Sequence, residues 1–362
     1  MAAQTPPVAF IPPNFSSVAN SIANPKYVEW NLKIEKSFGS KMAVYLNYVG
    51  NHGYDEFIVN PNMNAFCTPD PVNCPNGFAG LPGAAPDARF SVVNELRNAG
   101  WSNYNGVSAT VVRRFSAGFQ GSFNYTYSHS LDTASNGGFL PYSFSGSGDS
   151  FATQIDPISL RKLNYGNSDY DFRHVISANY LWQLPIKTSN RGLDYLVGGW
   201  SIGGTVFYRS GEPFSLFDAS APAAGGQLSN GSGSTVLADY ISGPRTCPSI
   251  SNCLNGTSFV PDGSQFNFGN LPRNSFRGPH YLNADLSLQK DIKLTERYVF
   301  TLGANAFNVL NHPNFANPDA DISSSTFGAI LSTVTPPNSP YGNFQGAAVS
   351  GRVLQLDAKF KF

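Results

Sequence analysis

The chain has 362 residues, and its 23 Lys+Arg balance its 23 Asp+Glu, so the formal net charge is zero. That balance excludes a nucleic-acid partner held by a basic excess. Charged residues make up only 13%, against about 25% in soluble domains, while aromatics reach 14%, a mixture that excludes disorder.

Residues 1–23 carry no periodic pattern and read as an N-terminal loop segment on the extracellular side. The opening Met1-Ala-Ala-Gln-Thr-Pro-Pro has neither the basic region nor the apolar core of a secretory signal. From residue 24 onward the sequence resolves into short segments of period two. Val28, Trp30, Leu32 and Ile34 alternate with Glu29, Asn31, Lys33 and Glu35; Met42, Val44, Leu46 and Tyr48 form the next apolar row. Val107, Ala109 and Val111 follow, then Phe119, Gly121, Phe123, Tyr125 and Tyr127 against Gln120, Ser122, Asn124, Thr126 and Ser128. Further rows are Ile176 to Trp182, Trp200 to Tyr208, Leu282 to Leu288, Phe300 to Ala306 and Leu354 to Phe362. Successive side chains of a strand point to opposite faces, so each segment predicts a strand with one apolar and one wet surface. The count is nine strands, with no amphipathic helix.

Short connections fall near Gly39-Ser40, Ser116 to Gly118, Pro185 to Leu196 and Asp291 to Arg297; long ones span 51–102, 130–171, 211–280 and 311–348. Short and long alternate, so all long loops gather at one end. A soluble sandwich has no reason for that asymmetry, whereas outer-membrane barrels join short periplasmic turns to long extracellular loops. The polar rows are rich in uncharged Ser, Thr, Asn and Gln, as a wet lumen requires. Aromatics gather near the ends of the apolar rows: Trp30, Tyr48, Tyr127 and Tyr208 toward one interface, Phe38, Phe119, Trp182, Trp200, Phe300 and Phe362 toward the other. No stretch reaches the ~18–20 apolar residues of a membrane-spanning helix. The expected fold is all-β, an antiparallel transmembrane β-barrel built here as a partial barrel of about nine strands. The expected location is the bacterial outer membrane, with outer-membrane lipid as one partner.

Four cysteines form two close pairs, Cys67 with Cys74 and Cys247 with Cys253, both inside long loops. Loops facing an oxidising space predict two local disulfides. Zinc is disfavoured, because the spacings exceed C-x₂₋₄-C and no His lies near either pair. No catalytic, cofactor-binding or metal-binding set emerges. Gly199-Trp-Ser-Ile-Gly203 matches a nucleophile elbow but lies inside an alternating segment, where the required strand–turn–helix is missing. Asp169-x-Asp171 and Asp319-x-Asp321 lack the Gly and distal Glu of a calcium loop and read as solvated turns. The polar-row charges Glu29, Lys33, Glu35, Arg209 and Asp285 include both signs and read as structural pairs.

Two further patterns carry a resemblance. Leu354-x-Leu356-x-Ala358-x-Phe360-x-Phe362 resembles the C-terminal signal read by the outer-membrane barrel assembly machinery. Tyr48-Val-Gly-Asn-His-Gly53, Ser102-Asn-Tyr-Asn-Gly106, Asn124-Tyr-Thr-Tyr-Ser-His129, Asp169-Tyr-Asp-Phe-Arg-His174 and Ala306-Phe-Asn-Val-Leu-Asn-His-Pro-Asn-Phe315 resemble, in order and spacing, the barrel of TonB-dependent receptors of the Oar-like subgroup. The resemblance covers 24–362 and implies a barrel of about 22 strands around a plug, solute uptake energised through TonB, and no enzymatic activity or cofactor. With nine strands, no plug and no export signal, the sequence reads as the C-terminal portion of a longer receptor for an unidentified solute, reaching TonB through a plug domain outside this chain. Alternatives of other classes are a barrel that anchors adhesive or structural surface loops, and an outer-membrane hydrolase.

Overall fold

A computed structural model describes residues 11–69, 74, 77–133, 135, 155–221, 236–247, 254–261, 264–334 and 351–362. Its strands, in chain order, are β1 (Phe15–Val18), β2 (Lys26–Phe38), β3 (Met42–Asn60), β4 (Val93–Ser116), β5 (Phe119–Asp132), β6 (Gly166–Asn167), β7 (His174–Gln183), β8 (Trp200–Arg209), β9 (Pro213–Phe214), β10 (Phe276–Arg277), β11 (Tyr281–Lys293), β12 (Val299–Phe307) and β13 (Val353–Lys361). Two short helices, α1 (Leu160–Leu163) and α2 (Arg191–Val197), lie in connections. Among the described residues no helix is long and apolar enough to cross a membrane.

One sheet dominates, in the order β13-β12-β11-β8-β7-β5-β4-β3-β2, so its nine main strands are neighbours in sequence order. All eight pairings are antiparallel. The sheet does not close: among the described residues β2 and β13 each pair with one neighbour. The nine predicted segments are these nine strands.

Register carries the apolar rows across the whole sheet. Ile34 faces Leu46, Leu46 faces Ala109, Ala109 faces Tyr125 and Tyr125 faces Ile176. Ile176 faces Tyr208 and Tyr208 faces Leu282; further along the same face of β11, Leu288 faces Ala304, which faces Leu356. A slip of one residue would turn a strand's entire apolar set to the other face, so this continuity fixes the pairing. The tight turn Ala117–Gly118 has positive φ at both positions, 52° and 79°, as a two-residue hairpin of right-handed strand twist requires.

The packed core is not in the sheet. One buried cluster joins Cys67, Cys74, Phe78, Leu163, Val236 and Phe268; another joins Phe214, Leu216, Ala238, Phe259 and Phe276. Both are built from the long connections. The sheet's apolar row is bare instead: Leu32 is 63% exposed and Leu356 83%. A soluble sandwich buries that row and exposes its loops; this chain does the reverse.

Several expectations are corrected. The connection expected over 51–102 begins and ends in strand, because β3 and β4 continue to Asn60 and from Val93 as a long ribbon. The segment 1–23 contains β1, which runs parallel to β4 with Phe15 beside Val93. No helix is expected from the sequence, yet the short connection near Pro185 to Leu196 holds α2, and the 130–171 loop holds α1. Asn190 starts α2 by accepting hydrogen bonds from Gly192 N and Leu193 N, at 3.0 and 3.2 Å.

Candidate functional site

The polar face of the sheet is a hydrogen-bonded belt. Thr110 Oγ1 donates to Asn124 at 2.7 Å, Asn179 to Ser122 at 2.7 Å, and Ser287 to Asn305 at 2.7 Å. Thr205 donates to Asp285 at 3.2 Å, and Asn305 to Asp357 at 3.0 Å. Of the charges on this face, Lys33 pairs with Glu35 at 3.5 Å, Glu29 accepts from Asn51 at 3.0 Å, and Arg209 pairs with Glu212 at 3.6 Å. These groups satisfy one another while leaving a wet wall. A hollow of about 420 Å³ lies against β7, β8, β11 and β12, lined by Asn179, Thr205, Asp285 and Ser287 and also by Leu181 and Phe307. Its amides and hydroxyls offer both donors and acceptors to a polar solute, and the Asp285 carboxylate accepts only.

The five motif segments lie at the long-loop end of the sheet, the first four linked strand to strand and the fifth bonded to β11. His52 stands opposite Asn103, whose side-chain oxygen lies 2.8 Å from His52 Nδ1. Tyr127 stands opposite His174, and Ser128 N donates to Arg173 O at 3.1 Å, so the third and fourth segments zip together. In the fifth, Asn308 adopts a φ of 49°, donates its amide to Asp285 at 2.9 Å, and exchanges two 3.0 Å bonds with the backbone of His312. Asn314 accepts from Leu282 N at 2.8 Å and donates to Leu282 O at 3.0 Å, clasping the start of β11. Gly50 lies under the Trp30 ring, where any Cβ would overlap it. Trp30 Nε1 donates to Tyr48 at 3.2 Å and Tyr48 donates to Asn105 at 2.8 Å. Two of the predicted interface aromatics are thereby tied to each other.

Above this rim, two arginines from one segment staple the loops. Arg273 pairs with Asp132 and lies 3.3 Å from Asp169. It also donates to Asn164 O at 2.8 Å, Ser135 Oγ at 3.1 Å and Asp132 O at 3.2 Å. Burial pulls its pKa down to about 10. Arg277 pairs with Asp171, which also accepts from Arg173 at 2.8 Å and from Ser130 N at 2.8 Å. Asn274 donates to Asp169 at 2.6 Å and to Asn167 O at 2.8 Å. The Asp169-x-Asp171 pair therefore faces guanidinium and amide groups. Asp319 accepts from Ser324 and Thr326, both at 2.6 Å, and these bonds hold its carboxyl below its ordinary range. Among the described residues no group of three or more His, Cys, Asp or Glu is placed to hold a metal.

Cys67 and Cys74 are joined by a disulfide, with Cα atoms 6.4 Å apart, buried within the first loop cluster. Cys247 is disulfide-bonded and buried in the second cluster, and its predicted partner Cys253 lies outside the described residues. Ser201 of the elbow-like motif sits in the β8 ladder, opposite Gln183 and Gln289. Leu354, Leu356 and Phe360 are exposed on β13, and Phe362 just beyond it is 84% exposed; Ala358 lies on the same row beside Leu302.

The segment carrying Arg273, Asn274 and Arg277 escapes sequence reasoning. Its one signal is two arginines four positions apart in a loop otherwise poor in charge.

Comparison with curated proteins finds no match. Among solved structures, the fold is similar to the outer membrane transporter YddB from Escherichia coli, at 11% identity and TM-score 0.46, over 97% of this chain and 34% of that one. It is also similar to the FrpB iron transporter from Neisseria meningitidis, at 11% identity and TM-score 0.40, over 96% and 32%. A third is the ferric enterobactin receptor PfeA from Pseudomonas aeruginosa, at 12% identity and TM-score 0.41, over 94% and 31%. The chain spans about a third of the length of these structures. The family description "outer membrane beta barrel domain" matches residues 1–355. With its bare apolar row, its wet opposite face and a match over nearly its whole length, the chain belongs to the outer membrane beta barrel domain family and to the bacterial outer membrane.

Proposed function

We propose that residues 24–362 are barrel wall and outer-loop cap of a TonB-dependent receptor of the Oar-like subgroup, which binds or takes up a polar solute. The observation that carries this reading is the polar, hydrogen-bonded sheet face ending under a cap of folded loops. A wall of mutually satisfied amides and hydroxyls suits passage of a hydrated solute, and a stapled cap suits recognition. The sheet edges β2 and β13, which among the described residues pair on one side only, support completion by further strands, because backbone groups left open in hydrocarbon cost several kcal/mol each. In this reading TonB reaches the receptor through a plug domain outside this chain. Leu354, Leu356, Ala358, Phe360 and Phe362 present the row read by the barrel assembly machinery, and Cys247 pairs with Cys253. No catalytic step is assigned.

The test is crosslinking of TonB to the full-length protein in its own cells, with and without the inner-membrane proton gradient. A gradient-dependent adduct is expected. If another TonB-dependent receptor in the same cells gives an adduct and this protein gives none, the uptake reading fails. The packed loop clusters would then favour the second reading, a barrel that anchors surface loops.

A further inference from the structure

The connection between β7 and β8 belongs to the short-turn end, which is the periplasmic end of such barrels. Yet it is the longest of the short connections, and it carries α2. The helix folds back over the apolar row of the sheet. Three observations fix it there. Trp200 Nε1 donates to Leu196 O at 3.0 Å. Lys290 Nζ donates to Leu196 O at 3.2 Å and to Gly198 O. The same ammonium lies 5.3 Å from the centre of the Trp200 ring.

Lys290 belongs to the apolar row, opposite Trp200 and Leu302. A cation on that row is costly in hydrocarbon unless its donors are met. Here the carbonyls at the end of α2 meet two of its three donors, and the residue is only 6% exposed. Lys290 thus functions as a peg that holds α2 against the wall. The helix in turn shows Leu193, Tyr195 and Leu196 to the outside, with Leu196 70% exposed. Leucine with Tyr and Trp at one end of an apolar wall is the composition of a membrane-interface element.

Between α2 and the wall lies a groove of about 660 Å³, lined mainly by Leu196, Trp200, Leu288, Ala304 and Leu356, together with Lys290 and Asp357. Small-molecule sites span about 300–1,000 Å³, so this is a full-sized site. It is continuous with the lipid-facing row that family membership places in the bilayer. Elsewhere that row is an open sheet surface; here the helix gives it a second wall.

We infer that α2, pegged by Lys290, and the patch formed by β8, β11, β12 and β13 make a seat for one acyl chain of a periplasmic-leaflet phospholipid. The chain lies along Leu288, Ala304 and Leu356 and is held from the side by Leu196 and Trp200. The inference rests on the family assignment and not on the transport reading.

The test uses outer membranes from cells that make the protein, loaded with a phosphatidylethanolamine that carries a diazirine on one acyl chain. After illumination, labelled peptides are mapped by mass spectrometry. Label on α2 and on 288–304 should exceed, several-fold, label on Ile34, Val44 and Leu46, which face lipid at the same end of β2 and β3. Ala304→Phe, which fills the groove, should abolish the excess, and Val44→Phe should leave it unchanged. Even labelling of both regions would mean ordinary annular lipid and would overturn the inference. Protein–protein adducts at the patch, with no lipid adduct, would assign the groove to a second copy and overturn it equally. The wild-type comparison decides the matter even if Ala304→Phe fails to assemble.

Discussion

Replacing Arg273 with Met should unfasten the loop cap while leaving the transmembrane ladder intact. The guanidinium reaches Asp132, Asp169, Ser135 and the carbonyls of Asn164 and Asp132, with Arg273 and Asp132 side chains only 11% and 10% exposed. Methionine fills similar volume but supplies no donor, so Asp132 is left buried without its cation. Removing one member of a buried pair costs about 3–5 kcal/mol, a roughly 10²–10⁴-fold change in an opening equilibrium. The loop cap borders water, so the lower end is expected. Hydrogen exchange on the protein in lipid nanodiscs reads that equilibrium directly. Protection should fall in 155–173 and 264–277, including the Arg273 amide that donates to Leu163 O at 2.8 Å. Exchange along β7, β8 and β11 should not change. Arg89→Met is the control, because its ion-pair partner Asp87 lies in exposed loop, and no change is expected there. Unaltered protection in both loop segments after Arg273→Met would refute the assignment of Arg273 as the staple.

Leu286→Arg should impair assembly into bilayers more than Ser287→Arg, by about 2–4 kcal/mol near the midplane, since Leu286 lies on the lipid row and Ser287 on the polar face; equal folding yields in lipid vesicles would contradict the facing. Gly50→Leu should displace the Trp30 ring and break its bond to Tyr48, read as a changed tryptophan emission; an unshifted spectrum would count against the stacked geometry. Asp319 has its folded pKa held below its ordinary value of 3.8, so its stabilisation of the 319–326 turn is present above that value and lost as pH falls through the folded pKa. Substituting both Ser324 and Thr326 with Ala should return the Asp319 titration toward 3.8 by NMR, and an unchanged midpoint would show that those hydroxyls do not set it.

Much of the sheet is legible because a bilayer imposes period two on every crossing. Leu282 to Gln289 alternates without exception and is found within β11. The outer parts of β3 and β4 are not legible. Tyr54-Asp55-Glu56 and Asn94-Glu95 sit where both faces meet polar surroundings, so no apolar row marks them as strand. Helix α2 is seven residues long, too short for helical period to show against its neighbours. The arginine staples hide for a different reason. Arg273 meets Asp132 across 141 positions and Arg277 meets Asp171 across 106, and nothing local signals such a meeting. The five motif segments were visible as resemblance, while their role as clasps between adjacent strand ends needed the register.

The overlong β3–β4 hairpin has a mechanical consequence. A tilted crossing uses about 9–11 residues, yet β4 runs for 24. Its pairing with β5 stops at Ser102, so residues 93–101 continue beyond the wall, and at about 3.4 Å per residue they make a mast roughly 30 Å long. Asp55, with a φ of 59°, interrupts its ladder between Gly53 and Glu56. Asn98 bridges that break by donating to Asp55 O at 2.5 Å and Ala23 O at 2.8 Å, while β1 lies alongside as a stay. A load applied at the tip would therefore travel down two braced strands and concentrate its bending at Asp55, a hinge set above the rim and not in the wall.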